Sequence, residues 1–198
     1  MCSLTGVFGL EDLTFQVLYK GAFSQQHRGE DGVGIAAANG QKIHSEARLG
    51  LVSDHLDSLW GNAVKKIGTV KAAIVHTRYP TEGEVTASNA QPFLGNTRHG
   101  PIAYGHNGEL TNFHSLRRRY EERGVIFTKS SDSEMFLAAY ADTNHDALEE
   151  RLVAAAQKLK GAFNIVGLTE DTLFAIRDPH GFKPLSVAKL NGGYLVAS

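Results

Sequence analysis

The sequence predicts an α+β protein built on antiparallel sheet. Two observations carry that prediction. Short β-branched and aromatic runs bounded by Gly, Pro, Asn or Asp gather at the beginning and end of the chain, with helical periodicities between them. The last four runs are separated by turns too short for the helical crossovers that parallel strands require. At 198 residues, 42% hydrophobic and 21% charged, with no repeat, low-complexity tract or linker, the chain reads as one domain over 1–198.

The strand runs are Leu4–Phe8, Val33–Ala38, Ala72–His76, Pro101–Tyr104, Phe163–Leu168, Thr172–Ile176, Leu185–Ala188 and Tyr194–Ala197. A softer pattern over Leu10–His27 predicts a first helix. The stretch Arg78–His99 lacks periodicity and is rich in Gly, Ser, Thr, Asn and Pro, which predicts a long loop. Phe113, Leu116 and Tyr120 mark a second helix, with Asn112 as its N-cap and Gly124 just past its end. Ser131, three residues before Glu134, predicts a capping box for a helix over Met135–Tyr140. Leu148, Leu152, Ala155 and Leu159 repeat at helical spacing, acidic residues come early, Lys158 and Lys160 late, and Gly161 supplies the stop.

Composition narrows the chemistry. A single cysteine excludes an intrachain disulfide and a multi-cysteine metal centre. Nine histidines show neither His-x-His nor His-Glu-x-x-His spacing, so no metal site is expected. A formal charge of −1 gives no long-range attraction to nucleic acid or to an anionic membrane. No apolar run reaches the ~18–20 residues of a membrane span, and no charged-then-apolar leader pattern is present, so the expected compartment is the cytoplasm.

Five groups of residues could carry chemistry. Removal of Met1 would leave Cys2 with both a thiol and an α-amine, whose pKa of ~7.7–8 suits a proton acceptor near neutral pH. The alternative is an inert small hydrophobe at a terminus. His106-Asn107-Gly108-Glu109-Leu110 follows an apolar run and precedes a helix, so it reads as a strand-to-helix turn. There a carboxamide and a glycine N–H could form an oxyanion hole, or Asn-Gly could simply be a turn dipeptide. Arg78, within His76-Thr77-Arg78-Tyr79-Pro80-Thr81, could clamp a carboxylate, or be a surface arginine. Asp132 lies in the first turn of a helix, placed to bind an ammonium. Gln26-His27-Arg28-Gly29-Glu30-Asp31 most simply forms a solvated helix end.

Together these motifs resemble one family, the class II (N-terminal nucleophile) glutamine amidotransferases, in the branch formed by the glutaminase domains of amidophosphoribosyltransferases. The resemblance runs from Cys2 and the Gly6–Gly9 stretch through Gln26–Gly29, Gly50-Leu51-Val52-Ser53-Asp54, His76–Thr81, Ala90-Gln91-Pro92-Phe93, His106–Gly108 and Ser131–Glu134. It continues through Arg177-Asp178-Pro179-His180-Gly181 with Pro184-Leu185 to Tyr194–Ser198. It implies an N-terminal-nucleophile (Ntn) hydrolase-like four-layer αββα sandwich of two antiparallel sheets.

The resemblance also implies roles. Cys2 matches the nucleophile and its α-amine the base. Asn107 and Gly108 match the oxyanion hole. Arg78, with Thr81 in its loop, matches the binder of glutamine's α-carboxylate, Asp132 the binder of its α-ammonium, and Arg28 a supporting basic residue. No cofactor is implied for this domain. The implied partner is an ammonia-accepting phosphoribosyltransferase domain or subunit, absent from this chain, within an oligomer in the full-length context.

The sequence departs from the family pattern at Ser3-Leu4, at Gly32-Val33-Gly34 and at Phe182-Lys183-Pro184-Leu185, and none of these removes a catalytic group. Two other readings stay open: a non-catalytic glutamine-binding or regulatory module with unprocessed Met1, and the glutaminase domain of a glucosamine-6-phosphate synthase or glutamate synthase type enzyme. Tyr79-Pro80 and the Arg177–Leu185 segment favour the purine branch.

Overall fold

Two antiparallel sheets stack face to face, each covered on its outer side by helices. The computed structural model describes residues 2–79 and 86–198. In chain order the elements are β1 (Ser3–Phe8), α1 (Thr14–Ser24), β2 (Gly32–Ala38), β3 (Ile43–Leu49), α2 (Val52–Ile67), β4 (Ala72–Arg78), β5 (Phe93–Thr97), β6 (Gly100–Leu110), α3 (Phe113–Glu121), α4 (Glu134–Ala141), α5 (Leu148–Gln157), β7 (Gly161–Leu168), β8 (Leu173–Arg177), β9 (Ser186–Leu190) and β10 (Gly193–Ala197). The larger sheet has the order β3-β2-β4-β1-β10-β9 and the smaller β5-β6-β7-β8. Every pairing is antiparallel. The predicted αββα sandwich is the observed architecture.

Alternation along the strands assigns each residue to a layer. In β2, Val33, Ile35 and Ala37 meet Leu18 of α1 and Leu56 and Leu59 of α2, while Ala36 and Ala38 face the opposite sheet. Covered on both faces, β2 is buried at every position, and it reads in sequence as a nearly continuous apolar run. In β6, Ile102 and Tyr104 pack against the α3–α5 layer, where the Tyr104 ring meets Phe136 edge-on at 4.9 Å. Ala103 on the same strand faces inward. Each large side chain buried this way stabilises the fold by roughly 2 kcal/mol.

The space between the sheets is filled by small residues and a few aliphatics: Leu4, Ala36, Ala38, Ala72, Ile74, Ala103, Val166, Leu168 and Val196. A Cβ on Gly105 would lie 2.3 Å from a methyl of Leu4, and one on Gly6 would lie 3.0 Å from Val166. The absence of side chains there is what allows the two sheets to approach.

Several expectations are corrected. The longest helix, α2, and the strands β3 and β5 were not predicted; β5 lies inside the expected long loop. The first helix is confined to Thr14–Ser24, flanked by single 3₁₀ turns at Glu11–Leu13 and Gln26–Arg28. Asn112 does not cap α3 with its side chain. Its amide donates to the Lys158 carbonyl at 2.9 Å and accepts from Lys160 N–H at 3.0 Å, joining α3 to the end of α5 instead. The Ser131–Glu134 capping box is not formed either. Ser131 Oγ accepts from the N–H of Ser133, and the Glu134 carboxylate turns away to accept from the N–H groups of Thr128 and Lys129.

Gly34 has a structural consequence of its own. A Cβ at this position would lie 2.2 Å from the Gln91 carbonyl oxygen and 2.6 Å from Ala47 Cβ, so the loop carrying Gln91 rests directly on β2. Gly34→Ala is therefore expected to destabilise the fold by about 3 kcal/mol, since backbone must move to admit the methyl. Urea unfolding of the two proteins measures this, and a difference below about 0.5 kcal/mol would contradict the contact.

Candidate active site

Cys2 is held at one end of the sandwich by strand pairing. Ser3 is opposite Thr77 in the β1–β4 register, and their hydroxyls are 2.6 Å apart. That pairing places the Cys2 Sγ against the backbone of Tyr79, 3.4 Å from both its N–H and its carbonyl oxygen. Burial pushes the Cys2 thiol above its ordinary pKa, opposed by the Tyr79 backbone and the nearby charge of Arg78, and reinforced by Asp132. A thiol in this position needs a local base to ionise it at neutral pH.

Arg78 is the last residue of β4 and is buried, with Nη1 donating to the Asn89 carbonyl at 2.5 Å. Burial lowers its pKa from the ordinary arginine value, and Cys2, Asp31 and Asp132 act in the opposite sense. Asp132 is 4% exposed. Its Oδ2 accepts from the Leu110 N–H at 2.9 Å, and its Oδ1 lies 3.8 Å from His106 Nδ1. Cys2, Arg78 and Asp132, far apart in sequence, are thus within electrostatic reach of one another.

The His106–Leu110 segment is not a strand-to-helix turn. It remains in β6 and stays in register with β7 as far as Leu110 opposite Gly161. The strand alternation explains its chemistry. His106 faces the helical layer, and Asn107 faces the space between the sheets. With its amide oriented to satisfy its neighbours, Asn107 donates from Nδ2 to the Cys2 carbonyl at 3.2 Å. Its oxygen accepts from Arg28 Nη2 at 3.0 Å and from Ser198 Oγ at 2.9 Å. One amide N–H is then directed at Cys2, and the second has no partner among the described residues. Gly108 follows it along the strand, where a Cβ would lie 2.1 Å from the Ala162 carbonyl oxygen. Only glycine fits there.

Arg28 is not on a solvated helix end. Its Nη1 donates to Gln25 Oε1 at 2.9 Å, and its Nη2 meets Asn107. Burial lowers its pKa, and the Cys2 thiol acts against that shift. Thr81 lies outside the described residues, as does Met1. Among the described residues, no group of three or more His, Cys, Asp and Glu is placed to hold a metal ion, and no helix is long and apolar enough to cross a membrane.

Sequence reasoning missed the polar residues beneath the site. Gln91 accepts from the His106 N–H at 2.7 Å and donates to Ser133 Oγ at 2.9 Å. Ser198 Oγ bridges Asn107 and the Asn164 amide, 2.8 Å away. Gln91 and Ser198 both stand inside quoted motifs, but nothing in their spacing announces these partners. The Arg177–Gly181 motif closes on itself, with Arg177 donating to the Gly181 and Lys183 carbonyls and Asp178 accepting from the His180 and Phe182 N–H groups.

Comparison with known proteins identifies the family and the fold. A family model described as a glutamine amidotransferase domain matches residues 76–198. The chain belongs to that family. Its relatives include amidophosphoribosyltransferase 3, chloroplastic, of Arabidopsis thaliana (37% identical, covering 98% of this chain and 36% of the relative). They also include the amidophosphoribosyltransferases of Methanocaldococcus jannaschii (37%, 100% and 42%) and Bacillus subtilis (35%, 100% and 40%). A solved structure described as glutamine phosphoribosylpyrophosphate amidotransferase from B. subtilis complexed with ADP and GMP superposes with a TM-score of 0.87 at 33% identity. It covers 99% of this chain and 41% of that one. The chain therefore spans roughly two-fifths of the length of these relatives.

His76, opposite Leu4 in the β1–β4 register, sets an acid limit on the fold. Its Nε2 lies 3.2 Å from the His106 carbonyl, which makes it the donor there, and its buried Nδ1 has no partner among the described residues. Burial pushes its pKa down to about 3. The unfolded chain takes up that proton near pH ~6.5. Between the two values the unfolded state binds a proton that the native state refuses, so stability is complete above the window and falls as pH decreases through it. Lowering the pH from about 7.5 to about 5 should cost the wild type about 2 kcal/mol through this group, a loss that His76→Gln should largely remove. Urea unfolding at both pH values reads the difference, and parallel losses in the two proteins would refute it.

Proposed function

We propose that this chain hydrolyses the side-chain amide of glutamine to glutamate and ammonia at Cys2, and that the ammonia serves phosphoribosylamine formation in purine synthesis on a phosphoribosyltransferase domain or subunit. The observation that carries this reading is the convergence at one end of the sandwich of Cys2, the Asn107 amide nitrogen 3.2 Å from the Cys2 carbonyl, buried Arg78 and buried Asp132. A free glutamine carries one carboxylate and one ammonium on its α-carbon, for which Arg78 and Asp132 have the complementary charges. Its amide carbon then falls to the nucleophile.

In this mechanism the α-amine of Cys2, freed by removal of Met1, accepts the thiol proton. The thiolate adds to the amide carbon, and the resulting oxyanion is held by the Asn107 amide and the Gly108 N–H. Arg28 acts through Asn107 by holding its oxygen, which leaves the N–H2 end directed at the reaction. The ammonium returns its proton to the departing nitrogen, the C–N bond breaks and ammonia leaves, giving a γ-glutamyl thioester. Water adds to the thioester carbon, and glutamate departs as the thiol regains its proton.

Cys2→Ala is expected to abolish glutamate release. Asn107→Ala should lower kcat by about 10²–10³ while leaving the thermal unfolding transition nearly in place. Glutamate production from glutamine with both variants tests this, and a wild-type rate in Asn107→Ala would remove the oxyanion assignment. Intact mass of active material provides a second test: retention of Met1 in active protein would exclude the α-amine as base.

A further inference from the structure

A buried polar knot behind the site joins the elements that would read the two ends of the substrate. Ser133 Oγ lies 2.8 Å from His106 Nδ1, 2.9 Å from Gln91 Nε2 and 3.0 Å from Ser131 Oγ. Gln91 closes the loop by accepting from the His106 N–H, and Tyr104 OH donates to the Ser133 carbonyl at 2.9 Å. Ser133, His106 and Gln91 are each 3% exposed. Two of the contacts bracket the oxyanion donors. His106 and Leu110 lie on either side of Asn107 and Gly108 in β6, and they bond to Ser133 and Asp132 respectively. The turn carrying Asp132 is therefore clamped to the strand both before and after the amide-reading pair.

The Ser133 hydroxyl accepts from the Gln91 amide and from Ser131 Oγ, and both His106 Nδ1, at 2.8 Å, and Asp132 Oδ1, at 3.4 Å, lie within its reach. Burial lowers the His106 pKa, and the Asp132 carboxylate acts in the opposite sense.

We propose that Ser133 and His106 are positioning residues that set the span between the Asn107–Gly108 donors and the Asp132 carboxylate, and thereby the side-chain length the site accepts. The inference rests on the glutaminase reading above. Neither residue is assigned contact with the substrate. They act by holding β6 and the Asp132 turn in fixed register, so that an amino acid whose amide reaches the oxyanion donors also places its ammonium on Asp132. Asparagine, one methylene shorter, cannot satisfy both ends of a rigid ruler. Loosening the ruler weakens the grip on glutamine and narrows the difference between the two amides.

The test compares Ser133→Ala with the wild type in protein lacking Met1. KM for glutamine should rise about tenfold, the loss expected for one buried hydrogen bond, with a smaller change in kcat, and the asparagine-to-glutamine ratio of kcat/KM should increase. Alkylation of Cys2 provides the readout that general damage would not reproduce. A diazoketone analogue of glutamine, which carries the α-ammonium, should label the variant about tenfold more slowly, whereas iodoacetamide, which lacks it, should label both proteins at similar rates. Equal slowing by both reagents, or an unaltered KM, would overturn the proposal. Should Ser133→Ala fail to fold, His106→Gln reads the same split. A wild-type protein that reacts with iodoacetamide but neither hydrolyses glutamine nor accepts the diazoketone overturns the glutaminase reading itself, and this inference with it.

Discussion

Antiparallel pairing of β1 with β4 is the constraint from which the site follows. A residue at position 2 would ordinarily fray, but Ser3 is paired to Thr77 through backbone register and through a 2.6 Å hydroxyl contact. β10 secures the other side, with Leu4 and Ser198 exchanging both backbone hydrogen bonds. The Cys2 thiol is thereby carried by the central part of a six-stranded sheet rather than by a tail. Since β4 also ends in Arg78, the same ladder that fixes Cys2 fixes its cationic neighbour. The second sheet then needs only to bring β6 alongside, and contact across the alanine- and glycine-lined gap does so.

Strand alternation divides the labour on β6. Consecutive residues point into different layers, so His106 enters the knot of Ser133 and Gln91 while Asn107 reaches the thiol side. The two layers have different dielectric demands. On the helical side, burial lowers the His106 pKa within a set of buried hydrogen bonds, and the Asp132 carboxylate 3.8 Å away opposes that shift. On the thiol side, Arg28 and Arg78 lie close to Cys2 and offset part of what desolvation costs a thiolate.

Most of the architecture was legible because most of it follows a simple period. Buried strands such as β2 and β7 read as apolar runs, and α5 shows regular helical spacing. The unread elements fail for identifiable reasons. β3, at the sheet edge with the sequence Ile-His-Ser-Glu-Ala-Arg-Leu, is half-exposed along its length and has no apolar run. β6 appeared to stop at Tyr104 because the residues that follow are polar, yet the strand continues through them to Leu110. α2 did carry a signal: Val52, Leu56, Leu59, Ala63 and Ile67 are all buried at helical spacing, diluted by the polar residues between them. For the site, residue types whose chemistry is distinctive were visible in sequence, Cys2, Arg78, Asn107 and Asp132 among them. Gln91 and Ser133, 42 positions apart, were not, since an amide and a hydroxyl acquire meaning only from the partner that folding supplies.

The small residues between the sheets also determine where this sequence is free to drift. A Cβ on Gly6 would press on Val166 and one on Gly105 on Leu4; Ala36, Ala38, Ala72 and Ala103 are buried beside them, and at this close packing a larger residue would have to be matched by a smaller one across the gap. Such exchanges require two coordinated changes, each harmful alone. The outer contacts are less demanding: Phe15 against Trp60, or Leu152 within the α5 layer, adjoin surface that can shift to absorb a change of shape. Single substitutions can therefore accumulate on the helical shells while the seam between the sheets, and the end of the sandwich that carries Cys2, holds its composition.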